Sequence, residues 1–106
     1  MLFISKVIIE VNNLQNNDLI GKVVLSLSGR DKDHLYVVVD SDKAGNLLLV
    51  NGDNKIISNP KKKNIKHLSF VDNIDDELKT TILDKKKNAD LRIKRFLKLR
   101  YIVKEG

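Results

Sequence analysis

Cysteine and tryptophan are absent from this 106-residue chain, proline occurs once, and histidine twice. Without cysteine there are no disulfides, no thiolate chemistry and no Cys-based zinc sites. The two histidines, His34 and His67, are far apart in sequence, so neither has a neighbouring imidazole as a second ligand or base. Aromatic residues are few: Phe3, Tyr36, Phe70, Phe96 and Tyr101. That scarcity argues against a platform on which successive nucleobases stack. No stretch approaches the ~20 apolar residues of a membrane span. The apolar residues near the start are interrupted by Lys6 and Glu10, and no small-residue cleavage site follows. A signal peptide would place its positive charge first, so residues 1–18 are read as an N-terminal extension packed on the domain. The expected location is cytoplasmic.

What the chain does contain is aliphatic bulk and positive charge. Leu, Ile and Val make up 36 residues, too many for a disordered chain even with 32% charged residues. The length fits one domain. Twenty basic residues against 14 acidic ones give a net charge of +6. Residues 1–59 have a balance of −1 and residues 60–106 a balance of +7. Such asymmetry points to a side that faces a polyanion.

Residues 20–71 read as short strands: 22–27, 35–39, 47–50, 55–58 and 66–71, separated by turn-forming clusters around Gly29, Gly45 and Gly52. Pro60 is expected to break pairing and leave residues 61–67 as an exposed connection. After residue 72 the period lengthens, with Ile74, Leu78 and Ile82 every four residues. Asn73 is the expected N-cap, and Lys85, Lys86 and Lys87 are expected in the last turn. A second helix is expected with Ala89, Ile93, Phe96 and Leu97 on one face and Arg92, Arg95 and Lys98 on the other. Residues 99–103 fit either a helix or a strand. Residues 2–11 lean towards a strand because of their β-branched content. The fold expected is therefore mainly β with an α extension.

The inventory for catalysis is thin. No Gly-x-Ser-x-Gly or Ser-x-x-Lys motif occurs, and Gly21-Lys22 lacks the context of a phosphate-binding loop. The acid pairs Asp31 with Asp33 and Asp40 with Asp42 fall short of the roughly six to eight oxygens calcium prefers. They are read as turn-forming and solvated. The chain is expected to be no enzyme, with no metal, cofactor or small-molecule substrate.

The basic segments carry more information. Lys61, Lys62, Lys63 and Lys66 place four ammonium groups within six residues, next to His67. Such charges repel unless solvated or paired with an anion, of which nucleic-acid phosphate is the usual one. If the segment is extended, side chains alternate, so Lys61 and Lys63 share a side and Lys62 points away. The loop around Gly29 adds Arg30, whose planar guanidinium can bind phosphate bidentately, and Lys32. Gly29 supplies a backbone that is free to take positive φ.

The runs Gly21-Lys22-Val23-Val24, Ser28-Gly29-Arg30-Asp31-Lys32 and Tyr36-Val37-Val38-Val39 resemble a KOW motif. The run from Asn59-Pro60-Lys61 through His67-Leu68 resembles small bacterial KOW-domain RNA-binding proteins, related to a eukaryotic/archaeal-type large-subunit ribosomal protein. Leu27 and Ser28 stand where that family carries a basic residue and an alanine. The resemblance implies a five-stranded SH3-like barrel over residues 19–71, followed by a basic C-terminal helical extension over residues 72–106. It implies binding of RNA, probable ribosomal RNA, by Lys22, Gly29, Arg30, Lys32, Lys61, Lys62, Lys63, Lys66 and His67. Ribosomal proteins are further partners it suggests. The alternative is a KOW-type protein-interaction module in translation or transcription, docking through the apolar face of the second helix.

Overall fold

The computed structural model describes residues 19–85 and 87–101. The strands are β1 (Lys22–Ser26), β2 (Leu35–Ser41), β3 (Asn46–Val50), β4 (Lys61–Asn64) and β5 (Leu68–Asn73). A single 3-10 turn, Ile65–His67, joins β4 to β5, and two helices follow, α1 (Asp76–Leu83) and α2 (Ala89–Tyr101). All pairings are antiparallel, in the order β4-β3-β2-β1-β5. The chain meanders through four strands, then returns so that β5 pairs with β1.

Register explains why the strand sequences look apolar without clean alternation. Paired residues share a face, and neighbours along a strand take opposite faces. Val23 lies opposite Val37, and Val37 opposite Val50. These three valines face the helices and pack with Ile74, Leu78, Ile82, Ile93 and Leu97. Val24 lies opposite Tyr36, and Val38 opposite Leu49, on the other face. There they pack with Leu19, Leu47 and Leu68, and Ile65 of the 3-10 turn closes against them. A sheet buried on both faces needs continuous apolar runs, which is what 35–39 and 47–50 supply. Each fully buried Val or Leu contributes roughly 1.5–3 kcal/mol.

The fourth strand is not where residues 55–58 suggested. That segment is a turn, held by Asn51, whose side-chain oxygen accepts from the amides of Asp53 at 2.9 Å and Lys55 at 3.0 Å. It ends in a single bridge between Ile56 and Asn59. The strand begins directly after Pro60 instead. Proline is tolerated next to a strand start, and an edge strand tolerates lysines, which protect its open side from pairing with other chains. The exposed connection expected over 61–67 is thus the edge strand plus the 3-10 turn.

The helix ends also differ from expectation. Asn73 closes β5, because the amide of Ile74 still donates to the Gly21 carbonyl at 2.9 Å. Asp75 is the cap, its carboxylate accepting from the Leu78 amide at 2.7 Å. Helix α1 stops at Leu83, and Lys85, with φ of 55°, lies beyond it rather than in the last turn. In α2, Ala89, Ile93 and Leu97 are buried and Phe96 is half-buried, as their spacing predicts. The helix continues to Tyr101, which settles residues 99–101 as helical. The strand expectation for residues 2–11, and residues 102 and 103, lie outside the described residues.

One glycine sets the position of α2. Gly52 has φ of +78°, and a Cβ there would sit 2.1 Å from the Asp90 carbonyl oxygen and 2.7 Å from the Lys94 amide nitrogen. The turn therefore lies directly on the helix backbone. Next to it the Ile57 amide donates to the Asp90 carboxylate at 2.9 Å.

Candidate nucleic-acid interface

The β1–β2 loop, residues 27–34, is closed by its own backbone. The amide of Asp33 donates to the Ser26 carbonyl at 2.8 Å, Lys32 to Gly29 at 3.2 Å and His34 to Asp31 at 2.9 Å. Gly29 has φ of +84° and Asp33 φ of +73°, so the chain reverses tightly. At the loop base the Leu27 amide donates to the His67 carbonyl at 2.9 Å, joining the loop to the 3-10 turn.

Asp31 is turned inward, with 9% of its surface exposed. This overturns the reading of Asp31 as a solvated turn residue; Asp33 is exposed as expected. The carboxylate accepts from the Tyr36 hydroxyl at 2.9 Å, and one oxygen lies 3.0 Å from Ser26 Oγ. Lys63 Nζ, reaching across from β4, donates to the same oxygen at 2.7 Å. Lys61 Nζ stands 3.7 Å from the other oxygen, near enough for attraction but too far for a good hydrogen bond. Burial pushes the Asp31 carboxyl up, but donation from Lys63, Tyr36 and Ser26 and the charge of Lys61 outweigh it. The group is held well below the usual carboxylate range. Burial, then the hydrogen bond to Asp31 and its charge, push the Tyr36 phenol up. Among the described residues no buried side-chain polar atom lacks a partner.

The ammonium of Lys63 has three donors and three acceptors. Besides Asp31 these are Ser26 Oγ at 2.7 Å and the Ser28 carbonyl at 2.6 Å. Ser28 and Asp31 are thus tied to one ammonium, and Gly29 and Arg30 form an arch above it. Arg30 and Lys32 are exposed and have no side-chain partner among the described residues.

The residues singled out in the sequence separate into groups. Arg30, Lys32, Lys61, Lys63 and His67 gather around the loop, Gly29 shapes it, and Lys66 is exposed on the adjoining 3-10 turn. Lys61 and Lys63 do share a side, since they pair with the buried Leu49 and Leu47. That side leads inward to Asp31, so the Lys63 charge is internal rather than presented to solvent. Lys62 pairs with Leu48 on the opposite face. Its charge adds slightly to the effect of Asn46, whose amide and side chain hold the Asp42 carboxyl below its usual range. Lys22 sits at the other end of β1, roughly 13 Å from the loop at ~3.3 Å per residue, in a cleft with Asn73, Asp76 and Lys79.

Sequence reasoning missed Ser26, Asp31 and Tyr36 as the scaffold of the loop. A buried carboxylate between Arg30 and Lys32 has no compositional signature, and its partner Lys63 is 32 residues away. On α2, Arg92 is held by Glu77 and Thr81 at 2.8 Å each, and Arg100 by Asp72 at 3.2 Å. Arg95 and Lys98 have no partner among the described residues. No described helix is long and apolar enough to cross a membrane.

No protein-family model matches the chain, and no curated protein matches it closely enough to count as a relative.

Proposed function

We propose that this chain is a non-catalytic RNA-binding domain of the SH3-like KOW type that acts on ribosomal RNA. The carrying observation is the arch. Arg30 and Lys32 stand exposed and unpartnered on a closed loop, while the one carboxylate between them is neutralised from beneath by Lys63. Such a loop presents a guanidinium and an ammonium to phosphates without a competing internal acid. A four-strand meander whose fifth strand returns to the first through one 3-10 turn supports the SH3-like reading. The Ser-Gly-Arg-Asp-Lys run and the lysine-rich edge strand support the KOW reading.

The geometry narrows the contact set. Arg30, Lys32 and Lys66 carry the phosphate contacts, with Lys61 and His67 at the margin. Lys62 and Lys22 face elsewhere, and Lys63 is internal. Binding through about three charges gives a log–log salt slope near −2 to −3, at ~0.7–0.9 per phosphate. The test is titration of a labelled RNA stem-loop at several salt concentrations. A slope in that range supports the reading, and affinity independent of salt contradicts it.

A second reading, docking of a protein such as a ribosomal protein, has one observation in its favour. Leu99 of α2 is 78% exposed and Leu91 is 47% exposed. Binding to such a partner would survive high salt.

A further inference from the structure

We infer that Lys63 is a positioning residue whose ammonium, by tying the Ser28 carbonyl to the Asp31 carboxylate, holds Arg30 in its binding geometry. The inference rests on the RNA-binding reading of the loop and assigns Lys63 a role other than phosphate contact.

Three observations carry it. First, the donor capacity of Lys63 is fully used, by Ser26 Oγ at 2.7 Å, the Ser28 carbonyl at 2.6 Å and Asp31 at 2.7 Å. A phosphate could gain this ammonium only by displacing one of them. Second, its side chain is 12% exposed and that of Asp31 11%, so the pair is screened from solvent. Third, the two anchored residues bracket Gly29 and Arg30. A Cβ at Gly29 would lie 3.5 Å from Lys63 Nζ and 3.5 Å from Asp31 Oδ1, so the arch rests on the ion pair with no space between. Arg30 itself makes no bond that would orient it, so its placement depends on the backbone that Lys63 holds.

The consequence is a division of labour among side chains of one sign. Arg30 and Lys32 meet the polyanion, and Lys63 supplies the tetrahedral donor set beneath them. A planar guanidinium cannot reproduce that set, so arginine is no substitute at position 63.

The test compares Lys63→Met, Lys63→Arg, Arg30→Ala and the double variant Lys63→Met/Arg30→Ala, with a labelled RNA stem-loop as the probe. Lys63→Met is expected to weaken binding roughly tenfold, about as much as Arg30→Ala, the worth of one charge-assisted bond. Its salt slope should stay that of the wild type. The double variant should bind no more weakly than Arg30→Ala alone, and Lys63→Arg should not restore affinity. Independently of RNA, amide exchange at Lys32 and Asp33 should be faster in Lys63→Met, because their bonds close the loop. If Lys63→Met does not fold, Asp31→Asn/Lys63→Met removes both charges and is read in the same way. A salt slope shallower by about 0.7, additive losses and full rescue by arginine would overturn the inference, making Lys63 a phosphate contact. Unchanged exchange in the loop would overturn it as well. Failure of the wild type to bind RNA at low salt would instead sink the RNA reading, and the exchange rates would still decide whether Lys63 holds the arch.

Discussion

Lys63 on the edge strand and Asp31 in the β1–β2 loop form a 2.7 Å ion pair that joins points 32 residues apart. The pair binds the basic edge of the sheet to the loop that carries Arg30. Stability and candidate function therefore meet in one contact.

Asp31→Asn is expected to destabilise the domain by roughly 3 kcal/mol, since it leaves a buried ammonium without its counter-charge. Urea unfolding at neutral pH checks this. The acid limb follows from the lowered carboxyl. Its contribution is fully present above the unfolded carboxylate value of ~4 and is lost as pH falls below it towards the lower folded value. Wild-type stability should decline over that acid range, and Asp31→Asn should decline less. Parallel acid limbs would show that the carboxylate is not ionised and paired in the fold.

Tyr36 gives an optical reading of the same network. In a Tyr101→Phe background, its phenol should titrate well above the ~10 of free tyrosine, because burial and Asp31 both disfavour the phenolate. A phenol raised in the folded state opposes alkaline unfolding least once pH exceeds its unfolded value, so stability should fall above about pH 10. Ultraviolet titration measures the shift, and an ordinary phenol would mean that Tyr36 does not donate to Asp31.

Gly52→Ala is expected to be among the most damaging exposed-turn substitutions. The added methyl would enter the α2 backbone, 2.1 Å from the Asp90 oxygen, at a φ of +78° that alanine rarely adopts. The loss should exceed roughly 3 kcal/mol, combining overpacking with backbone strain. Gly45→Ala is the control, with φ of +87° but no atom nearer than 3.6 Å to its Cβ. It should lose only about 1–2 kcal/mol, the cost of the left-handed backbone. Melting temperatures of the two variants decide the matter, and equal losses would mean that the turn does not rest on the helix.

Much of the fold was legible because burial leaves a period. The strands at 22–27, 35–39 and 47–50 match β1, β2 and β3 within two residues, and Ile74, Leu78, Ile82, Ile93 and Leu97 line the core as their spacing predicts. Strand β4 was hidden because an edge strand of lysines carries no apolar signal. Residues 55–58 misled because Ile56 and Ile57 are β-branched yet half-buried in a turn held by side-chain bonds of Asn51. At the site, the cationic residues were visible from charge alone. Which cations are free was not, because the answer depends on Asp31, whose inward turn is set by contacts with Ser26, Tyr36 and Lys63. Barrel closure was expected as well. The sheet order has β4 and β5 as its two outer strands, each with one partner among the described residues.

The most direct test of the account is the salt dependence of RNA affinity for the wild type and for Arg30→Ala/Lys32→Ala. Both side chains are exposed, so the double variant should keep its melting temperature within about 0.5 kcal/mol equivalent of the wild type. Loss of two phosphate contacts should make the log–log slope shallower by about 1.4 to 1.8. An unchanged slope in a folded double variant would place the RNA contact elsewhere on the molecule and contradict the loop as the binding surface.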